Sequence, residues 1–161
     1  MTAIEYNVVS QDEAQRMIAA GVDYIKANNL PPMCLWVCDK AGVTVASMRM
    51  DGTAARYVHA AHRKAYSAAV FERDTAGIID FWEGQAKAGH QREADWNDPM
   101  VTTLPGGYCV CNGRRGGNMQ MWDVIGGFGC AGDDVPDHEN GVAEAAIAAL
   151  GEGYRHRRDW S

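Results

Sequence analysis

Arg49, Asp51 and Lys64 are the residues of this chain whose types and spacing most suggest chemistry. A guanidinium can grip a carboxylate through two parallel bonds. A lysine offers a point charge or, when desolvated, a base or an imine-forming amine. The set suits an anionic small molecule. It equally suits an internal salt bridge, Asp51 with Arg49 or Lys64, that pins a corner to a helix. His59 and His62 follow three residues apart, on neighbouring faces of one helix. Histidine can ligate iron or a divalent metal, or move a proton. No nearby carboxylate or third ligand completes a metal spacing. His62 and Lys64 are therefore the candidate acid/base groups, and no metal site is expected.

Other candidates are weaker or more individual. Cys109 and Cys111 share one face of a strand, as do Cys34 and Cys38, but none has the spacing of a redox pair or a zinc knuckle. Small buried thiols are the expected state. The stretch Arg114 to Trp122 joins paired arginines and glycines to Met119, Met121 and Trp122. It reads as a lid, with cations for an anion and apolar groups to exclude water, or as a subunit-contact loop. Pro105, Gly106 and Gly107 form a sharp corner, and Gly126, Gly127 and Gly129 lie in one apolar run. These glycines admit close backbone approach. They lack the strand, glycine turn and immediate helix of a phosphate loop.

The elements that must position these residues follow from periodicity. Ser10 and Glu13 form a capping-box pattern before a helix over about residues 11–28. Two apolar runs, 33–39 and 43–50, flank a turn ending at Gly42 and read as a hairpin. An alanine-striped helix over roughly 54–71 carries Lys64 and His62 at the two edges of its stripe, with His59 further outward. Thr75 is the expected cap of a third helix ending near Gly89. Strands are expected over 101–104, 108–112 and 124–130, and a final helix over about 137–150. The expected fold is α+β: a five-stranded antiparallel sheet flanked by four helices. One domain fills residues 1–161, with terminal segments at 1–9 and 151–161.

Composition narrows the partners. The chain has 161 residues, 47% apolar and 22% charged, enough for one buried core. Fifteen Lys and Arg against 21 Asp and Glu give a net charge of −6. Nucleic acid and anionic membranes call for a basic face, so neither is an expected partner. No apolar run has the length of a membrane span and no signal peptide is visible, so the expected compartment is the cytoplasm. Five cysteines are an odd count, in keeping with reduced thiols.

Several short stretches together resemble a known family. They are Asp39-Lys40-Ala41-Gly42, Arg49-Met50-Asp51-Gly52 and Lys64-Ala65-Tyr66-Ser67-Ala68, then Leu104-Pro105-Gly106-Gly107 and Val124-Ile125-Gly126-Gly127-Phe128-Gly129. In that order they resemble the signature of the GlcG/HbpS-like haem-binding family, and Asp134 stands where the family has an acidic residue before its last helix. The likeness covers about residues 33–150. It implies a small antiparallel sheet flanked by helices, assembly into homo-oligomers, a small-molecule ligand and haem as a possible cofactor. Two departures stand out: the insertion at 113–122, and Ala131 in place of a usual serine. No axial haem ligand is carried over.

Two functions follow. In one, the chain is a binding protein for haem or another small ligand, in a pocket between the 54–71 helix and the glycine corners. Arg49, Asp51, Pro105, Gly106, Gly107, Arg114, Trp122 and Asp134 are its candidate contacts. In the other, it is a cofactor-independent isomerase or lyase on a small carboxylate or ketone. There Arg49 and Arg114 orient the substrate, and Lys64 or His62 moves the proton.

Overall fold

The structure is a computed structural model and describes residues 8–90, 98–112 and 123–156. Helix α1 (Gln11–Ala27) starts where Ser10 and Glu13 close the expected capping box, the Glu13 N–H donating to Ser10 Oγ at 3.1 Å. Strands β1 (Cys34–Asp39) and β2 (Thr44–Arg49) pair as the expected hairpin. Gly42 makes its turn at a φ of 82°. Then follow α2 (Ala55–Val70), α3 (Thr75–Lys87), β3 (Gly107–Asn112), β4 (Asp123–Ala131), α4 (Pro136–Ala148) and β5 (Tyr154–Arg155). The five strands form one antiparallel sheet in the order β2-β1-β4-β3-β5.

Alternation along β1 separates two unlike faces. Leu35 and Val37 face one way and join Phe128 from β4 with Met17, Ile18 and Ile25 of α1 and Val142 and Ile147 of α4. That is the main core, built from large side chains. Fully burying each contributes about 1.5–3 kcal/mol. Cys34 and Cys38 face the other way, against Ala61, Ala65 and Ala69 of α2. The fully buried part of this second face is made of small residues, with Trp36 at its margin, so α2 lies almost on the strands. Gly127 shows how closely: a Cβ there would run into the Ala65 carbonyl and come within 2.8 Å of the Ala69 amide nitrogen.

Two expectations are corrected. Residues 101–104 are not a strand; the fifth strand is the two-residue β5, paired with the end of β3. The segment before β3 is tied instead to side chains of α2. Tyr66 donates to Asp98 at 2.7 Å, and the Thr102 N–H donates to Ser67 Oγ at 2.9 Å. The cap of α3 is Asp74 rather than Thr75. Thr75 is buried and its Oγ1 accepts from the Gly107 N–H at 3.0 Å, while Asp74 accepts from the Cys109 N–H at 2.9 Å. Both residues spend their side chains holding α3 to the edge of β3.

Candidate functional site

Lys64 lies on the inner stripe of α2, between Ala61 and Ala65, and is only 4% exposed. A buried ammonium is costly without partners. Lys64 Nζ donates to Glu139 Oε2 at 2.6 Å and to the Cys130 carbonyl at 3.0 Å. Glu139, also 4% exposed, projects from the first turns of α4. The backbone N–H groups of Gly132 and Asp133 donate to its carboxylate as well. Burial pushes the Glu139 carboxyl above the usual carboxylate range, and Lys64 and those N–H groups pull it back only in part.

The pair can form because the corner before β3 has no side chain. Gly106 sits at a φ of 103°, and a Cβ on it would stand 2.6 Å from Glu139 Oε2 and 3.1 Å from Lys64 Nζ. Only glycine suits that conformation and that space.

A cavity of about 260 Å³ opens beside the pair. Helix α2 gives it Tyr57, Ala60 and Lys64, and the corner before β3 gives it Leu104 and Pro105. Ala131 at the end of β4 and Asp133, Asp134, Pro136 and Glu139 around the start of α4 complete it. Tyr57 donates its hydroxyl proton to Asp134 Oδ1 at 3.3 Å and accepts from Arg56 Nη2 at 2.9 Å. Asp133 binds the ring of His138 and accepts from the Val135 N–H at 3.0 Å; His138 holds its carboxyl below the usual range.

Of the residues expected at a site, Lys64, Pro105 and Asp134 line this cavity, and Gly106 backs its ion pair. Gly107 packs against the α2 backbone at Lys64 and against Thr75. Arg49 and Asp51 lie elsewhere. Arg49 ends the exposed edge strand opposite Cys34, and Asp51 is exposed in the turn that follows. Neither forms an ion pair among the described residues. The salt bridge that pins α2 is therefore made by Glu139 and not by Asp51. His62 is also away from the cavity. Its ring stacks on Trp36 with centroids 4.5 Å apart, and its Nε2 is 3.4 Å from Thr44 Oγ1. His59 is exposed, as expected. Arg114 and Trp122, and with them the lid reading, lie outside the described residues.

Glu139 and Tyr57 were missed from sequence. A signal for Glu139 existed: residues 139, 142, 143 and 146 are one inner helical stripe, and all four are buried. A carboxylate on such a stripe requires a buried partner.

No curated protein sequence matches the chain significantly. Solved structures do resemble it. A double mutant of Streptomyces reticuli HbpS superimposes with a TM-score of 0.74 at 23% identity, covering 92% of this chain and 91% of that one. The Klebsiella pneumoniae protein ORFY gives 0.73 at 21% identity, covering 93% and 96%. PduOC, solved as a heme complex, gives 0.70 at 22% identity, covering 88% and 94%. At these identities the likeness is one of fold. The family itself is carried by a sequence model, that of the haem degrading protein HbpS-like, which matches residues 9–148. The chain belongs to the HbpS-like family.

Proposed function

We propose that this chain is a small-ligand-binding protein and that its ligand occupies the cavity between α2, the Leu104–Pro105 corner and the start of α4. The observation that carries the reading is the Lys64–Glu139 pair, buried in the protein yet bordering the cavity. Paired charges cost desolvation that apolar residues would not, so their place beside a hollow favours a functional role.

Haem is the first ligand to test, since the family's description and the PduOC complex both support it. Its fit to this chain is limited. At about 260 Å³ the cavity lies below the roughly 300–1,000 Å³ that enclose drug-sized ligands. No histidine, cysteine or methionine lines it, and three carboxylates face one ammonium. An enclosed haem does not fit. Leu104, Pro105 and Ala60 would hold one edge of the macrocycle on their apolar surface, and the Tyr57 hydroxyl would be the candidate ligand for the iron. Titration with hemin tests this. A Soret band saturating at one haem per chain and shifted in Tyr57→Phe supports it. Unsaturable, broad absorbance alike in both proteins sinks the haem reading.

A second reading is favoured by the same pair: proton transfer on a small carbonyl compound, with Lys64 and Glu139 as the acid/base groups. Hydroxyacetone incubated in D2O would exchange protons next to its carbonyl faster with the wild type than with Lys64→Met. Equal rates remove that reading.

A further inference from the structure

The electrostatics of the cavity, together with the hydrogen bonds already spent, define what chemistry it accepts. An ammonium has three N–H donors. Lys64 gives one to Glu139 and one to the Cys130 carbonyl, and the third has no acceptor among the described residues. That donor belongs to a side chain only 5% exposed and is left to the cavity that Lys64 lines. An unsatisfied buried donor on a charged group is costly, so an oxygen acceptor placed there gains a charge-assisted bond.

The net field, however, does not favour an anion. Glu139 at 2.6 Å neutralises Lys64. The remaining lining charges are the carboxylates of Asp133 and Asp134, the first already shared with His138. Asp134 Oδ1 accepts from Tyr57, and its Oδ2 has no partner among the described residues. An incoming carboxylate would lose hydration and meet the charges of Asp133 and Asp134, which Arg56, bonded to the Tyr57 hydroxyl, offsets only in part. A neutral molecule would meet one donor and one free acceptor.

We propose that the cavity selects small neutral hydroxy-carbonyl compounds, placing the carbonyl oxygen on Lys64 and a hydroxyl or amide donor on Asp134, and rejects the corresponding carboxylates. The inference rests on the reading of this cavity as the ligand site, and sharpens it. It also separates the two chemistries that sequence alone left together, carboxylate and ketone.

Lactamide and lactate are a near-isosteric pair that differ in charge, and both are small enough for the cavity. Each is titrated into the ¹⁵N-labelled full chain, with backbone amide shifts at Lys64, Gly106 and Asp134 followed by NMR. The expected result is saturable shifts at these amides with lactamide, and at least tenfold weaker binding of lactate. Asp134→Asn, at an exposed position that should leave the fold intact, is expected to narrow that ratio several-fold. Lactate binding as tightly as lactamide overturns the selectivity while leaving the cavity as the site. A ratio unmoved in Asp134→Asn overturns the assigned role of Asp134 and with it the proposal. Shifts at none of the cavity amides with either compound overturn both the selectivity and the site.

Discussion

Lys64 Nζ stands 2.6 Å from Glu139 Oε2, although 75 residues separate the two and their helices cover opposite faces of the sheet. The bond passes the end of β4 at the Gly106 corner and ties the two helical layers together. Removing one partner strands the other. Lys64→Met should cost about 3–5 kcal/mol, most of it the penalty of an unpaired buried carboxylate. Glu139 can escape by taking a proton. Its folded pKa is already raised by burial, and without Lys64 it rises further. A raised carboxyl pKa gives stability that is present below the unfolded value and is lost as pH rises through the folded one. Urea denaturation should therefore show a larger loss in Lys64→Met at pH 8 than at pH 5. A loss equal at both values would mean that Glu139 is not the stranded group.

Two glycine-to-alanine changes should act in opposite directions. At Gly127 the new methyl meets α2 backbone, at the Ala65 carbonyl and the Ala69 amide, and backbone cannot swing aside. Gly127→Ala should cost about 1–3 kcal/mol or more, the range for overpacking. At Gly84, inside α3, nothing lies within 4 Å of the added atom. There the helix loses only the entropic cost of glycine, and Gly84→Ala should gain up to about 1 kcal/mol. Paired melts of the two variants check both signs.

Local patterns were legible and long-range pairings were not. The capping box at Ser10, the turn glycine at Gly42 and the alanine stripe of α2 each carry their meaning within a few residues, and each element forms within a residue or two of its expected bounds. The stripe even implied the close approach that Gly127 shows. Lys64 was placed at the stripe's edge, since periodicity cannot reveal a partner on a distant helix. Asp51 was the carboxylate that the sequence paired with Lys64, but Glu139 is the one that the fold delivers. Residues 101–104 have strand-like types, yet Ser67 and Tyr66 capture that segment first. Strand β5 is two residues long and exists only because the end of β3 offers it an edge.

The thiols should be inert. All five cysteines are free and buried. Burial pushes Cys34 up to about 11 and Cys38 up to about 12, and raises Cys130 as well. The thiolate is the reactive form, so at pH 8 burial opposes attack on all five, and suppressed ionisation adds to it at Cys34, Cys38 and Cys130. A disulfide reagent such as DTNB should titrate none of the five within minutes in the native protein and all five in guanidinium. Rapid release of even one equivalent from folded protein would contradict the burial of the five thiols.

His62 should report the same interface through pH. Its ring lies flat on Trp36, tilted by only 18°, with Thr44 Oγ1 beside Nε2. Trp36 in turn donates its indole N–H to Thr44 Oγ1 at 2.8 Å. Burial lowers the His62 pKa most, and the positive charges of His59 and Arg63 lower it further. The folded chain thus prefers the neutral ring. Its contribution to stability is whole above the ordinary histidine value of about 6.5 and is lost as pH falls through the depressed folded value. The ring-proton shifts of His62 should titrate with a midpoint below 6.5, and His59→Gln should move that midpoint upward. His62→Gln should flatten the decline of stability across the same acid window. A midpoint at or above the ordinary value would mean that the ring stands free in water, and that α2 does not seat on Trp36 as described.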